Sequence, residues 1–363
     1  MGHATIDTDE LGTLVQVLIA DGYQVIGPTM TGSAIELAEL TDAGQLPAGW
    51  GVETGPGHYR LHRREDDAMF AHSAGPQSWK TFLHPPRRKL WSSDTDGSFQ
   101  GADEETPRYA LLGVRGCDLA AIGKLRDVLG GGTYPDSSFQ ARHQALFIVA
   151  VNCTEPGEVC FCASMGTGPA AGPGADLTLT EMSDHFLVEA GTDAGRELLA
   201  RIDHRDATTD ETGAARSALE MAAHRMGRAM PEVDLRALLA GSRESSHWED
   251  VAERCLTCGN CTMVCPTCFC TTTEDVTDLT GDHAERWQHW SSCFELDFSH
   301  VHGGSVRSSG ESRYRQWLTH KLSTWYDQFG GSGCVGCGRC IAWCPVGIDL
   351  TEEISRLAES AHD

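Results

Sequence analysis

"CLTCGNCTMVCP" at residues 255–266 and "CVGCGRCIAWCP" at residues 334–345 decide how the second half of this chain folds. Each reads C-x-x-C-x-x-C-x-x-x-C-P. One run supplies Cys255, Cys258, Cys261 and Cys265, the other Cys334, Cys337, Cys340 and Cys344. This is the spacing of bacterial two-cluster ferredoxins, in which three close thiolates hold one cubane and the fourth reaches across to the other. The expected ligand sets are therefore Cys255, Cys258 and Cys261 with Cys344, and Cys334, Cys337 and Cys340 with Cys265. Gly259, Gly336 and Gly338 let backbone N–H groups turn toward sulfur, and such hydrogen bonds help to set a cluster's potential. A pair of structural zinc sites is the alternative, because C-x-x-C pairs also serve zinc. Two complete runs, each closed by proline, favour iron–sulfur clusters.

The chain has 15 cysteines, so seven lie outside the runs. Cys268, Cys270 and Cys293 are read as small buried hydrophobes, a common fate of free cysteine, with local thiols that tune a neighbouring cluster as the alternative. They are one thiol short of a further all-cysteine cubane. Cys117 in "GVRGCDLA" and Cys153, Cys160 and Cys162 in "VNCTEPGEVCFC" belong to the first half. Two of these follow predicted strands, so loops at one edge of one sheet can gather all four thiols. Four thiols suffice for a third [4Fe-4S] cluster, although their spacing matches no ferredoxin run; reduced core cysteines are the alternative.

Around these loops the first half alternates helical and extended patterns. Residues 8–20 have helical spacing, and 23–28 and 58–63 read as extended. "YALLGVRG" (109–116) is an apolar strand running into a helix that ends at Gly130, Gly131 and Gly132, and "ALFIVAVN" (145–152) is a second buried strand. Strand, helix, strand makes a βαβ unit. A Gly/Pro/Ala loop at 167–176 leads to a strand pair, and 194–240 is helical with a break at Pro231. The expected architecture is an α/β or α+β domain over residues 1–240, expected to carry the additional cluster, followed by a mostly helical dicluster ferredoxin-like domain over 241–363.

Composition removes other functions. With 28 Lys and Arg against 52 Asp and Glu, the net charge of −24 would repel a phosphate backbone, which argues against nucleic acid. No run approaches 18 apolar residues, and the N-terminus lacks a basic n-region, so neither membrane span nor signal peptide is expected. Dense cysteine without an export signal points to a reducing cytoplasm and to metal rather than disulfides. "MGTGPAAGPG" (165–174) does not fit G-x-G-x-x-G, no P-loop or H-E-x-x-H occurs, and His283, His289, His300 and His302 read as surface or capping residues. No catalytic residue and no organic cofactor site is expected.

"GVRGCDLAAI", "VNCTEPGEVCFCASMGTGP", "CLTCGNCTMVCPTCFC", "WSSCFELDF" and "GCVGCGRCIAWCPVGID" together resemble the iron–sulfur beta subunit of soluble cytosolic nickel–iron hydrogenases of the sulfhydrogenase type. The related A subunit of anaerobic sulfite reductase shares this layout. The resemblance extends from about residue 109 to the C-terminus, and it departs from the family's "GVRPC" form at Gly116. It implies an electron-relay subunit without substrate chemistry of its own. A flavin and [2Fe-2S] NAD(P)H-oxidoreductase subunit would supply electrons, and hydrogenase small and large subunits with the nickel–iron centre would receive them. Flavin and nickel–iron are thus expected in the partners only. A relay in a sulfite or sulfur reductase, and a zinc scaffold without redox change, remain as alternatives.

Overall fold

The computed structural model describes residues 2–95, 97–102 and 106–360. Its strands, in chain order, begin with β1 (Ala4–Asp7), β2 (Gln24–Thr31), β3 (Ala34–Glu39), β4 (Trp50–Gly55), β5 (His58–Arg63), β6 (Arg87–Asp94) and β7 (Phe99–Gly101). They continue with β8 (Tyr109–Val114), β9 (Phe147–Val151), β10 (Leu177–Glu181), β11 (His185–Ala190), β12 (Arg205–Asp206), β13 (Thr271–Thr277) and β14 (His283–Trp290).

The apolar runs of the first half form the middle of an eight-stranded sheet ordered β12-β1-β11-β10-β9-β8-β2-β3. Four consecutive strands in this order, β10, β9, β8 and β2, are parallel. Parallel strands covered on both faces read as continuous hydrophobic runs, which is why β8 and β9 show no polar alternation. Ala110, Leu112, Phe147, Val149 and Val151 face one layer, where Leu11, Leu14 and Leu18 of the helix Glu10–Ala20 pack. Leu111, Val114, Ile148 and Ala150 face the other, against Leu119, Ile122 and Leu125 of the helix Gly116–Leu125. The β8–helix–β9 crossover therefore places the C-terminal ends of β8 and β9 side by side, where loops carry chemistry in open α/β sheets.

After residue 241, helices supply most of the regular structure. The helices His247–Arg254, Gly310–Thr319 and Leu350–Ser360 close over a core of Trp248, Tyr314, Trp317, Leu318, Ile354 and Leu357. Leu350, Ile354, Leu357 and Ala358 repeat at helical spacing and are all buried. Arg228 and Arg254 tie this last helix down through Asp349 (2.7 Å) and Glu353 (2.8 Å), both carboxylates being buried.

The two parts are not separate bodies. β13 and β14 pair with β6 and β7 from the first part in a four-stranded antiparallel sheet. The β4–β5 hairpin turn donates from Gly57 N to the Ile341 carbonyl at 3.0 Å. Between the parts, Arg339 makes two bonds to the Asp118 carboxylate, 2.7 and 3.2 Å, with both side chains 3% exposed. Its Nε also reaches the Gly75 and Gln77 carbonyls.

Removing one partner of a buried pair strands the other charge. Asp118→Ala is expected to lower stability by about 3–5 kcal/mol, whereas Asp127→Ala, which breaks an exposed pair with Arg126, should change it by less than about 1 kcal/mol. Anaerobic thermal unfolding of the two variants checks this, and equal midpoints would show that the buried pair does not join the parts.

Candidate metal centre

Each cysteine run folds as a tight loop into a one-turn helix, Asn260–Met263 in the first and Arg339–Ala342 in the second. The residue before each helix is a left-handed glycine, Gly259 and Gly338, both at φ 74°. Two residues earlier the runs differ. Gly336 takes φ 65° in the second run, and Thr257 takes φ 51° in the first. A left-handed non-glycine residue costs roughly 1–2 kcal/mol. The geometry is kept because it aims backbone at sulfur: Thr257 N lies 3.4 Å from Cys255 Sγ, and Gly336 N lies 3.4 Å from Cys334 Sγ. Ile348 N makes the matching contact to Cys344 Sγ at 3.3 Å.

Cys255, Cys258, Cys261 and Cys344 line one cavity with Phe294, Tyr314 and Trp317. This is the crossed set expected from the spacing, with Cys344 arriving from the other run. Cys340 of the second set lies on the same wall. For the second set, Cys265, Cys334 and Cys337 all act electrostatically on Cys340, so the four thiols are neighbours. Cys117, Cys153, Cys160 and Cys162 line a further cavity together with Cys337. The first of these opens the helix after β8, and the second follows β9, so adjacent parallel strands deliver them. Cys160 Sγ approaches the Cys337 carbonyl at 4.0 Å. At position 116 a Cβ would sit 2.5 Å from the Ala170 carbonyl oxygen, so this chain's glycine there is required by close packing beside Cys117.

Buried cations stand among these thiols. Lys321 Nζ lies 3.3 Å from Cys265 Sγ, 2.9 Å from Thr267 Oγ1 and 3.3 Å from the Gly333 carbonyl. Burial works to lower its pKa, but Cys265, Cys268 and Cys334 override that and hold it well above the usual lysine range. Arg115, on the wall of the cavity lined by Cys117, Cys153, Cys160 and Cys162, donates to the Phe70 carbonyl and, at 3.2 Å, to the His72 carbonyl. Burial first, and Arg115 second, push the neighbouring His72 down to about 3, so its imidazole is neutral. Sequence reasoning missed these residues. Arg339 stands inside the "CGRC" run and carries a local signal, whereas Lys321 and Arg115 are identified as counter-charges only by where the chain brings them.

The donor set suits clusters better than single ions. Both sets are all-thiol, and backbone N–H groups are directed at the sulfur of Cys255, Cys334 and Cys344, which is the environment of an iron–sulfur cluster. Sulfur ligands spread around a cavity, with N–H groups aimed at them, fit a cubane.

These features define an iron–sulfur protein of the two-cluster ferredoxin kind, and residues 254–348 match the family model described as a 4Fe-4S dicluster domain. Over 283 residues the chain is 31% identical to sulfhydrogenase 2 subunit beta of Pyrococcus furiosus, covering 76% of this chain and 83% of that protein. The chain belongs to the sulfhydrogenase beta-subunit family and is an iron–sulfur, [4Fe-4S]-carrying electron-transfer protein. No solved structure matches it. Among the described residues, no helix is long and apolar enough to cross a membrane.

The asymmetry between the runs is testable. A Cβ on Gly336 would lie 2.6 Å from Cys162 N and from the Phe161 carbonyl carbon, which are backbone atoms that cannot step aside. Gly336→Ala is expected to lower bound iron sharply, and Thr257→Gly to leave it unchanged. Iron and sulfide analysis of anaerobically prepared protein decides, and a Gly336→Ala protein with full iron would refute the packing argument.

Proposed function

We propose that this chain relays electrons through three [4Fe-4S] clusters between a flavin-bearing NAD(P)H-oxidoreductase subunit and a nickel–iron hydrogenase core. The first cluster is held by Cys255, Cys258, Cys261 and Cys344, the second by Cys334, Cys337, Cys340 and Cys265, and the third by Cys117, Cys153, Cys160 and Cys162. The observation that carries this reading is how the second set touches both of the other cavities. Cys340 borders the one lined by Cys255, Cys258, Cys261 and Cys344, and Cys337 borders the one lined by Cys117, Cys153, Cys160 and Cys162, which supports a series with the second set in the middle. Exposed Cys258 marks one end of that series, and the thiols beside β8 and β9 mark the other.

A cluster supplies one-electron exchange when bound. The chain's own residues exclude water with Phe294, Tyr314 and Trp317, orient N–H groups toward sulfur, and place Lys321 and Arg339 where added electrons are stabilised. The relative's name supports a place in a hydrogenase, and the absence of nucleotide and acid–base motifs from the sequence suits a relay.

In the intact complex, NAD(P)H is expected to bleach the cluster absorbance of this chain only while the flavin partner is present. Reduction of the isolated chain by nucleotide would overturn the reading. Metal and cofactor analysis of the co-purifying complex should find nickel with flavin; sirohaem without nickel would move the relay to sulfite reduction. For the third cluster, Cys153→Ser should lose about four irons per chain, and an unchanged iron content would remove that cluster from the series.

A further inference from the structure

Cys268, Cys270 and Cys293 are not dispersed in the core as separate small hydrophobes. All three line one cavity of about 320 Å³. The space left between Cys255, Cys258, Cys261 and Cys344 is about 30 Å³, an order of magnitude less. Cys270 and Cys293 are close enough to act on each other electrostatically, and Cys268 shares a hydrogen bond with Cys265 of the second set.

The rest of the lining is selective. It contains Lys321, Arg307 and His320, and among the described residues no aspartate or glutamate. In a chain with 52 acidic side chains, a cavity with three thiols, two cations and no carboxylate is built for an anionic guest. Lys80 adds a third cation behind it, its Nζ 3.0 Å from the Cys268 carbonyl and 3.7 Å from the centre of the Trp290 ring. What distinguishes this cavity is that it offers three thiols rather than four, and much more room.

We propose that Cys268, Cys270 and Cys293 hold a fourth iron–sulfur cluster, a cubane with three thiolate ligands whose remaining iron faces the open part of the cavity. His320 is the one imidazole in the described lining and the candidate for a fourth, non-thiolate donor. Its Nε2 lies 3.4 Å from Gln328 Oε1, a contact that metal binding would replace. Beside Cys265, the cluster would branch from the second cubane rather than extend either end of the series. This inference rests on the chain being an iron–sulfur protein, but not on the third cluster.

The test uses the intact anaerobic protein, wild type and the Cys270→Ala and Cys293→Ala variants. Each variant is expected to carry about four irons and four sulfides fewer than wild type. The wild-type Mössbauer spectrum should contain an iron site with a non-thiolate ligand that both variants lack. Equal iron in wild type and variants overturns the proposal. Should the variants fail to fold, the wild-type spectrum alone decides, because the absence of a non-thiolate iron site also overturns it. The third cluster is scored separately by Cys153→Ser, so either assignment can fail without the other.

Discussion

Burying thiolates in quantity demands buried positive charge, and the arrangement of this molecule follows from that demand. A chain with a net charge of −24 has no general surplus of cations, yet Arg115, Lys321 and Arg339 are all withdrawn from solvent beside cysteines. An isolated ion taken into a protein interior is costly unless it is paired and hydrogen-bonded. Each of these cations meets that condition with carbonyls, a carboxylate or sulfur. Arg339 does more than balance charge. Its guanidinium spans from the second cysteine run to Asp118, the residue after Cys117, so the same bond that compensates the thiols fixes that run against the helix after β8.

The parallel sheet and the ferredoxin-like loops solve the same problem by different means. In the loops, a short repeat with left-handed residues bends the backbone around sulfur, and sequence spacing is nearly the whole design. In the sheet, thiols distant along the chain are gathered because β8 and β9 are adjacent and parallel and both end at one edge. Gly336 belongs to both designs. It turns the second run toward Cys334, and its lack of a side chain lets that run lie against the backbone of Phe161 and Cys162.

Much of the site was legible in the order of residues. The crossed set of Cys255, Cys258, Cys261 and Cys344 lines one cavity, and the loops after two apolar strands do bring Cys117, Cys153, Cys160 and Cys162 together. The extended stretch at 58–63 is β5, and the helix read over 8–20 begins at Glu10. The second sheet was not legible. β13 is exposed along nearly its whole length and β14 is half-buried throughout, so neither carries the clean alternation that marks a strand with one buried face. β6, the partner of β14, lies almost two hundred residues away, a pairing that no local pattern encodes.

The sequence by itself carried the class of chemistry: two cysteine runs at ferredoxin spacing, within residues that match a 4Fe-4S dicluster domain, mark an iron–sulfur protein. It also determined the parallel sheet, since uninterrupted apolar strands joined by a helix have few other ways to bury both faces. Only the tertiary structure decided the order of the cavities, the pairing of Arg339 with Asp118, and the meeting of Cys268, Cys270 and Cys293 on one wall with Lys321. Those depend on contacts between residues tens to hundreds of positions apart, and such contacts follow from how whole faces pack rather than from any short stretch of the chain.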